Sequence, residues 1–114
     1  MTQSNSIAAI AQEVTKYRRA MHENPGTAYE EEFASNLVAE KLTEWGIPHE
    51  RGFGKTGVVG VIEGRTNNSG KVIGLRADMD ALDIHETTNL PYASKHPGKM
   101  HACGHDGHMT MLLG

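Results

Sequence analysis

The sequence predicts an α/β domain: two amphipathic helical stretches open the chain, short β-branched apolar runs follow, and a further helical pattern closes it. Three observations carry that reading. Apolar residues recur in steps of three and four through the first third, the period then changes, and the later runs are apolar on both faces, as in strands covered on both sides.

In order along the chain, Ile7, Ile10, Val14, Tyr17 and Met21 form one face of the first helix, with Lys16, Arg18 and Arg19 mostly off the stripe. Asn24-Pro25-Gly26 ends it, because proline restricts the residue before it and glycine permits turn geometry. A second helix is expected from about Tyr29, with Phe33, Leu37, Val38, Leu42 and Trp45 as its apolar face and Glu30, Glu31 and Glu32 in its first turn, where negative charge suits the helix dipole. Gly46 stands at the stop position with Pro48 just beyond. The runs Gly57–Ile62 and Val72–Leu75, separated by Asn67-Asn68-Ser69-Gly70, predict two strands and a turn. Arg76-Ala77-Asp78-Met79-Asp80 closes the second strand, and a long loop containing Pro91 and Pro97 runs on to Met100. Met109, Met111, Leu112 and Leu113 predict one face of a third helix. Tyr29 and Trp45 are most simply packing residues.

The 114 residues fit one domain or a piece of one, and the thin inventory of elements favours a truncated domain. Eleven Lys and Arg against fourteen Asp and Glu give a formal charge of −3, which offers no chain-wide footprint for nucleic acid or an anionic membrane. The polar, uncharged start Met1–Ser6 and the short Ile7–Ala11 run do not make a signal peptide or a membrane span. A single cysteine cannot form an internal disulfide, which leans toward a reducing compartment and predicts a cytoplasmic protein.

Chemistry concentrates in His101-Ala102-Cys103-Gly104-His105-Asp106-Gly107-His108. Thiolate and imidazole both suit zinc and its first-row neighbours, and Gly104 lets the backbone bend so that Cys103 and His105 can face one ion. An inert thiol among surface histidines is the competing reading, and spacing alone leaves both open. Asp78 and Asp80 would point to the same side of the strand end, where carboxylates can orient a ligating imidazole; Asp106 is a third candidate for that role. A solvated, turn-forming pair is the alternative for the two aspartates.

Other signals fail as sites. Gly54-Lys55-Thr56 lacks the first glycine of a phosphate loop and precedes a strand, not a helix. His101 and His105 have the four-residue spacing of a zinc-protease helix, but Ala102 stands where its glutamate is needed. His22 reads as structural at a helix end, and His49, His85 and His96 have no partner legible in the sequence.

Three blocks make the sequence resemble the M20 metallopeptidase-like amidohydrolases, in particular the branch of hippurate hydrolases, N-acyl-amino-acid amidohydrolases and plant auxin-conjugate hydrolases. They are Arg18-Arg19 through His22-Glu23-Asn24-Pro25 to Glu31-Glu32, then Leu75 through Asp78-Met79-Asp80-Ala81-Leu82, then Lys99 through Cys103-Gly104-His105-Asp106-Gly107-His108. Gly26 stands where the family often has Glu, and Asp83 where Pro is usual. The resemblance implies that residues 1–114 are the amino-terminal part of a three-layer, zinc-hydrolase-type catalytic domain with helices on a mixed sheet. It implies two divalent ions per intact subunit (Zn, Mn, Co or Ni), with Cys103 and His105 as ligands. The remaining ligands, the general-base glutamate and the lid or dimerisation domain, which leaves room for a homodimer, lie downstream in the family. No catalytic residue is expected within these residues. The implied reaction is hydrolysis of the amide of an N-acyl or N-aroyl amino acid. Another M20 substrate, or a catalytically incompetent metal-binding module, are the alternatives.

Overall fold

The computed structural model describes the backbone of residues 3–114 and the side chains of residues 7–114, so the side chains of the polar start Met1–Ser6 lie outside it. The element order is α1 (Gln3–Glu23), α2 (Glu32–Glu44), β1 (His49–Phe53), β2 (Gly57–Gly60) and α3 (His105–Leu113). The α/β class of the sequence reading holds, with the two strands forming one antiparallel sheet.

Helix α1 follows its stripe, and burial rises along it: Ile7 and Ile10 are exposed, Val14 is half-buried, and Tyr17 and Met21 are buried. It stops where expected. The Asn24 side-chain amide donates to the Ala20 carbonyl at 2.9 Å, satisfying an orphan acceptor of the last turn before Pro25.

Helix α2 starts later than Tyr29. Tyr29 has φ 67°, outside helical geometry, and its N–H donates to the buried Glu31 carboxylate at 2.7 Å, so the chain turns there before the helix begins. Glu32 is consequently the one acidic residue of the first turn, and Tyr29 is exposed instead of packed. The buried face is Ala34, Ser35 and Ala39, with Leu37, Val38 and Leu42 half-buried. Phe33 and Trp45 are more exposed than the periodicity predicts, although the Trp45 ring reaches Tyr17 at 6.3 Å between centroids. Gly46, at φ 67°, ends the helix: its N–H reaches the Thr43 carbonyl at 3.1 Å and the Ile47 N–H reaches Leu42 at 2.9 Å, a Schellman closure.

The sheet corrects the strand assignment. β1 and β2 pair with His49 opposite Gly60 and Arg51 opposite Val58, joined by a turn through Gly54-Lys55-Thr56, so the failed phosphate loop is a hairpin tip. Val72–Leu75 is not in a strand: Val72, Ile73 and Leu75 are 93, 84 and 75% exposed. A strand needs a ladder partner for its backbone groups, and among the described residues this run has none.

The core consists of Tyr17 and Met21 from α1, Ala34 from α2 and Met109 from α3, flanked by Val14, Leu37, Ala77, Met79 and Leu113. In α3 the face toward this core is Asp106, Met109 and Thr110, whereas Met111 and Leu112 are exposed. Among the described residues no helix is long and apolar enough to cross a membrane.

Candidate metal centre

The segment 76–82 and the start of α3 come together beside this core. Gly104 makes the junction: its φ of 100° is a conformation that side-chain-bearing residues rarely adopt, and it lets α3 begin directly after Cys103-Gly104. Asp78 and Asp80 point to the same side, as expected, and both meet His105.

His105 Nδ1 lies 2.9 Å from the Asp80 carbonyl and 3.0 Å from its carboxylate. A carbonyl only accepts, so Nδ1 carries the proton and donates. Nε2 faces Asp78 Oδ2 at 3.3 Å. An imidazole nitrogen opposite a carboxylate oxygen is an arrangement that a divalent cation between or beside them suits. His108 stacks on His105 with ring centroids 5.4 Å apart and donates from Nδ1 to Asp78 Oδ1 at 2.8 Å. That hydrogen bond, with the charges of both histidines, outweighs the effect of partial burial and holds the Asp78 carboxyl below the usual carboxylate range.

Asp78, His105 and His108 each offer a donor atom, and the three lie within 4.8 Å of one another. Imidazole nitrogen and carboxylate oxygen are a donor set that fits zinc or a first-row neighbour, and Asp80 supplies the contact that fixes a ligating ring. Of the two ligands expected from sequence, His105 is in this group. Cys103 is exposed, two residues before His105, and does not join it.

The other candidates separate. Asp106 does not orient His105. It is buried on the opposite side of the helix start, where Oδ2 accepts from Arg18 Nε at 2.9 Å and from His22 Nδ1 at 2.8 Å. Burial pushes its carboxyl up, but the His22 hydrogen bond and the Arg18 charge prevail and hold it below the usual range. His22 is a buried histidine held by two carboxylates, because its Nε2 meets Glu86 Oε1 at 3.0 Å. No sequence signal linked these residues. His101 is 4% exposed, neither ring nitrogen has a hydrogen-bond partner among the described residues, and burial lowers its pKa, which keeps it neutral. His49, His85 and His96 make local or surface contacts with the Ile47 carbonyl, the Gly98 N–H and Asn24 respectively. The expected long loop is closed at its base by a bridge between Leu82 and Met100, and Asp83 at the departure from the family pattern pairs with Lys99 at 2.8 Å.

Residues 74–114, which hold the whole donor group, match the family described as peptidase family M20/M25/M40. The chain is 55% identical over 107 residues to the hippurate hydrolase of Campylobacter jejuni, covering 94% of the chain and 27% of that protein. It is 50% identical over 111 residues to thermostable carboxypeptidase 2 of Saccharolobus solfataricus, covering 96% of the chain and 28% of that protein. Its fold superimposes on a Bacillus subtilis protein described as a dinuclear metal binding peptidase from the M20 family, with a TM-score of 0.86 and 41% identity, over 93% of this chain and 29% of that one. The chain thus spans under a third of the length of these relatives.

Proposed function

Since the chain belongs to the M20 peptidase family, we propose that the protein of which it forms part is a metal-dependent hydrolase of the amide bond in N-acyl or N-aroyl amino acids. The observation that carries the reading is His105: its Nδ1 lies on the Asp80 carbonyl and carboxylate, and its Nε2 faces the Asp78 carboxylate. In this reading His105 and Cys103 bind the ion, Asp80 orients the ring, and Asp78 and His108 add negative charge and a further donor beside it. The ion, when bound, supplies Lewis acidity and lowers the pKa of water from about 15.7 to about 7. Cys103 stands two residues before His105, with Gly104 between them in the left-handed conformation.

Residues 1–114 contribute part of the catalytic domain, and the other ligands, the general base, any second ion and any dimerisation surface come from outside them. The substrate is a small molecule and the location cytoplasmic, in keeping with the net charge of −3 and the lone cysteine. The test is amino-acid release by the purified full-length protein from hippurate and from N-acetyl amino acids, with manganese, zinc, cobalt or nickel added. Release that stops on chelation is expected; no release from any member of the panel overturns the substrate class. The 50% identity to a carboxypeptidase favours, as the second reading, a peptide substrate, which the same assay with dipeptides and carboxyl-blocked peptides distinguishes.

A further inference from the structure

The first sequence block, Arg18 through Glu32, contributes no donor to the metal group, yet it touches both walls of the site. On one wall Asp106, the residue after His105, is gripped by Arg18 and His22 through one oxygen. On the other, the Gly26 carbonyl accepts from the Ala81 N–H at 2.8 Å, beside the Asp80 whose carbonyl holds His105 Nδ1. The same helix end anchors the loop between the walls: His22 meets Glu86, and the Glu23 carbonyl accepts from the Lys95 N–H at 2.9 Å. Glu86 is itself fixed by the Ser94 N–H at 2.8 Å.

The cluster is closed to solvent. The side chains of His22, Asp106 and Glu86 are only 2–3% exposed. Both ring nitrogens of His22 face carboxylate oxygens, Asp106 Oδ2 at 2.8 Å and Glu86 Oε1 at 3.0 Å. Arg18 Nε adds a second donor to Asp106 Oδ2 at 2.9 Å. A buried ion network of this kind is weak reason for stability by itself, but breaking it leaves an uncompensated charge that forces rearrangement. The segment that would rearrange is the start of α3.

We propose that Arg18, His22 and Asp106 are positioning residues for the metal site: they fix the peptide that carries His105, so that its Nδ1 stays on the Asp80 carbonyl and its Nε2 on the ion. This rests on reading His105 as a ligand.

The test uses the full-length protein, with the histidine ring nitrogens followed by 15N NMR in the metal-free state and Co²⁺ binding followed by visible absorption. Wild type is expected to show His105 as the Nδ1–H tautomer. His22→Gln and Asp106→Asn are expected to give a mixture of tautomers, to weaken Co²⁺ binding by about 10-fold or more and to alter the cobalt spectrum. Leu37→Ala, a packing change in α2, is the control, expected to lower the melting temperature without changing tautomer or spectrum. Should the buried variants not fold, Arg18→Gln at the half-exposed rim carries the test, with Arg18→Lys expected to restore most of the binding. Variants that melt earlier yet keep the His105 tautomer, the Co²⁺ affinity and the spectrum overturn the proposal. A wild-type protein that binds no Co²⁺ but whose His105 tautomer responds to His22→Gln overturns the metal reading and leaves the positioning role standing.

Discussion

At the scale of single residues, the site turns on which atom of each side chain is free. Cys103 is exposed and outside the donor group, so its role is decided by substitution. Cys103→Ser in the full-length enzyme is expected to cut metal content and activity by about 10-fold or more, by analogy with losses on removing residues around a metal. Metal analysis and turnover of one preparation check this together, and unchanged values would leave Asp78, His105 and His108 to hold the ion alone. His101 poses the opposite case. It is neutral, buried and without a partner among the described residues, and a buried unsatisfied polar group costs about 1–3 kcal/mol. His101→Phe is therefore expected to leave the urea midpoint unchanged or raise it, whereas a clear fall would mean that the ring nitrogens serve a contact elsewhere in the intact protein. The aspartate pair was legible in sequence from its two-residue spacing, and both residues meet His105 although no strand forms at Asp78–Asp80; His105 followed from its motif. The bond between His22 and Asp106 was not, since 84 residues separate them and nothing local announces it.

At the scale of elements, boundaries set by local chemistry were legible and those set by distant partners were not. Asn24-Pro25 and Gly46 stop their helices by contacts within a few residues, so sequence finds them. Val72–Leu75 has the composition of a strand, but a strand forms only against a neighbour, and β1, His-Glu-Arg-Gly-Phe, pairs despite its polar composition because a glycine-containing turn returns β2 to it. The attachment of α3 to α1 brings a pH dependence. Asp106 and Glu86 are both held below the usual carboxylate range: burial raises each, and the hydrogen bonds, from His22 to Asp106 and from Thr88, the Ser94 N–H and His22 to Glu86, prevail. A carboxyl depressed on folding contributes stability that is fully present above its unfolded value, about 4, and is lost as pH falls through the lower folded value. Urea midpoints are thus expected to hold from pH 7 to about 5 and to decline below about 4. Asp106→Asn should flatten that acid limb, and an undiminished limb would assign it to other carboxylates.

At the scale of the whole molecule, the described residues are under-covered. The radius of gyration is 15.5 Å, against about 13 Å for a compact domain of this size, and the longest extent is 50 Å. Much of the exposed apolar surface lies between residues 61 and 75, where Val61, Ile62, Val72, Ile73 and Leu75 are all more than half exposed. Contiguous apolar surface without a covering layer promotes association. The 114-residue chain produced alone is expected to elute as oligomers on size exclusion with light scattering and to bind a hydrophobic dye, while Val72→Lys with Ile73→Lys shifts it toward monomer. A wild-type chain that runs as a dye-negative monomer would contradict this.

The anchoring of so much of the molecule on the end of α1 also sets an order of events during synthesis. Arg18 and His22 leave the ribosome 84 to 88 residues ahead of Asp106 and, for His22, 64 ahead of Glu86. At about 5–20 residues per second, the nascent helix waits roughly 4 to 18 s for its carboxylate partner. Throughout that interval both side chains face water, or whatever acidic surface a chaperone offers.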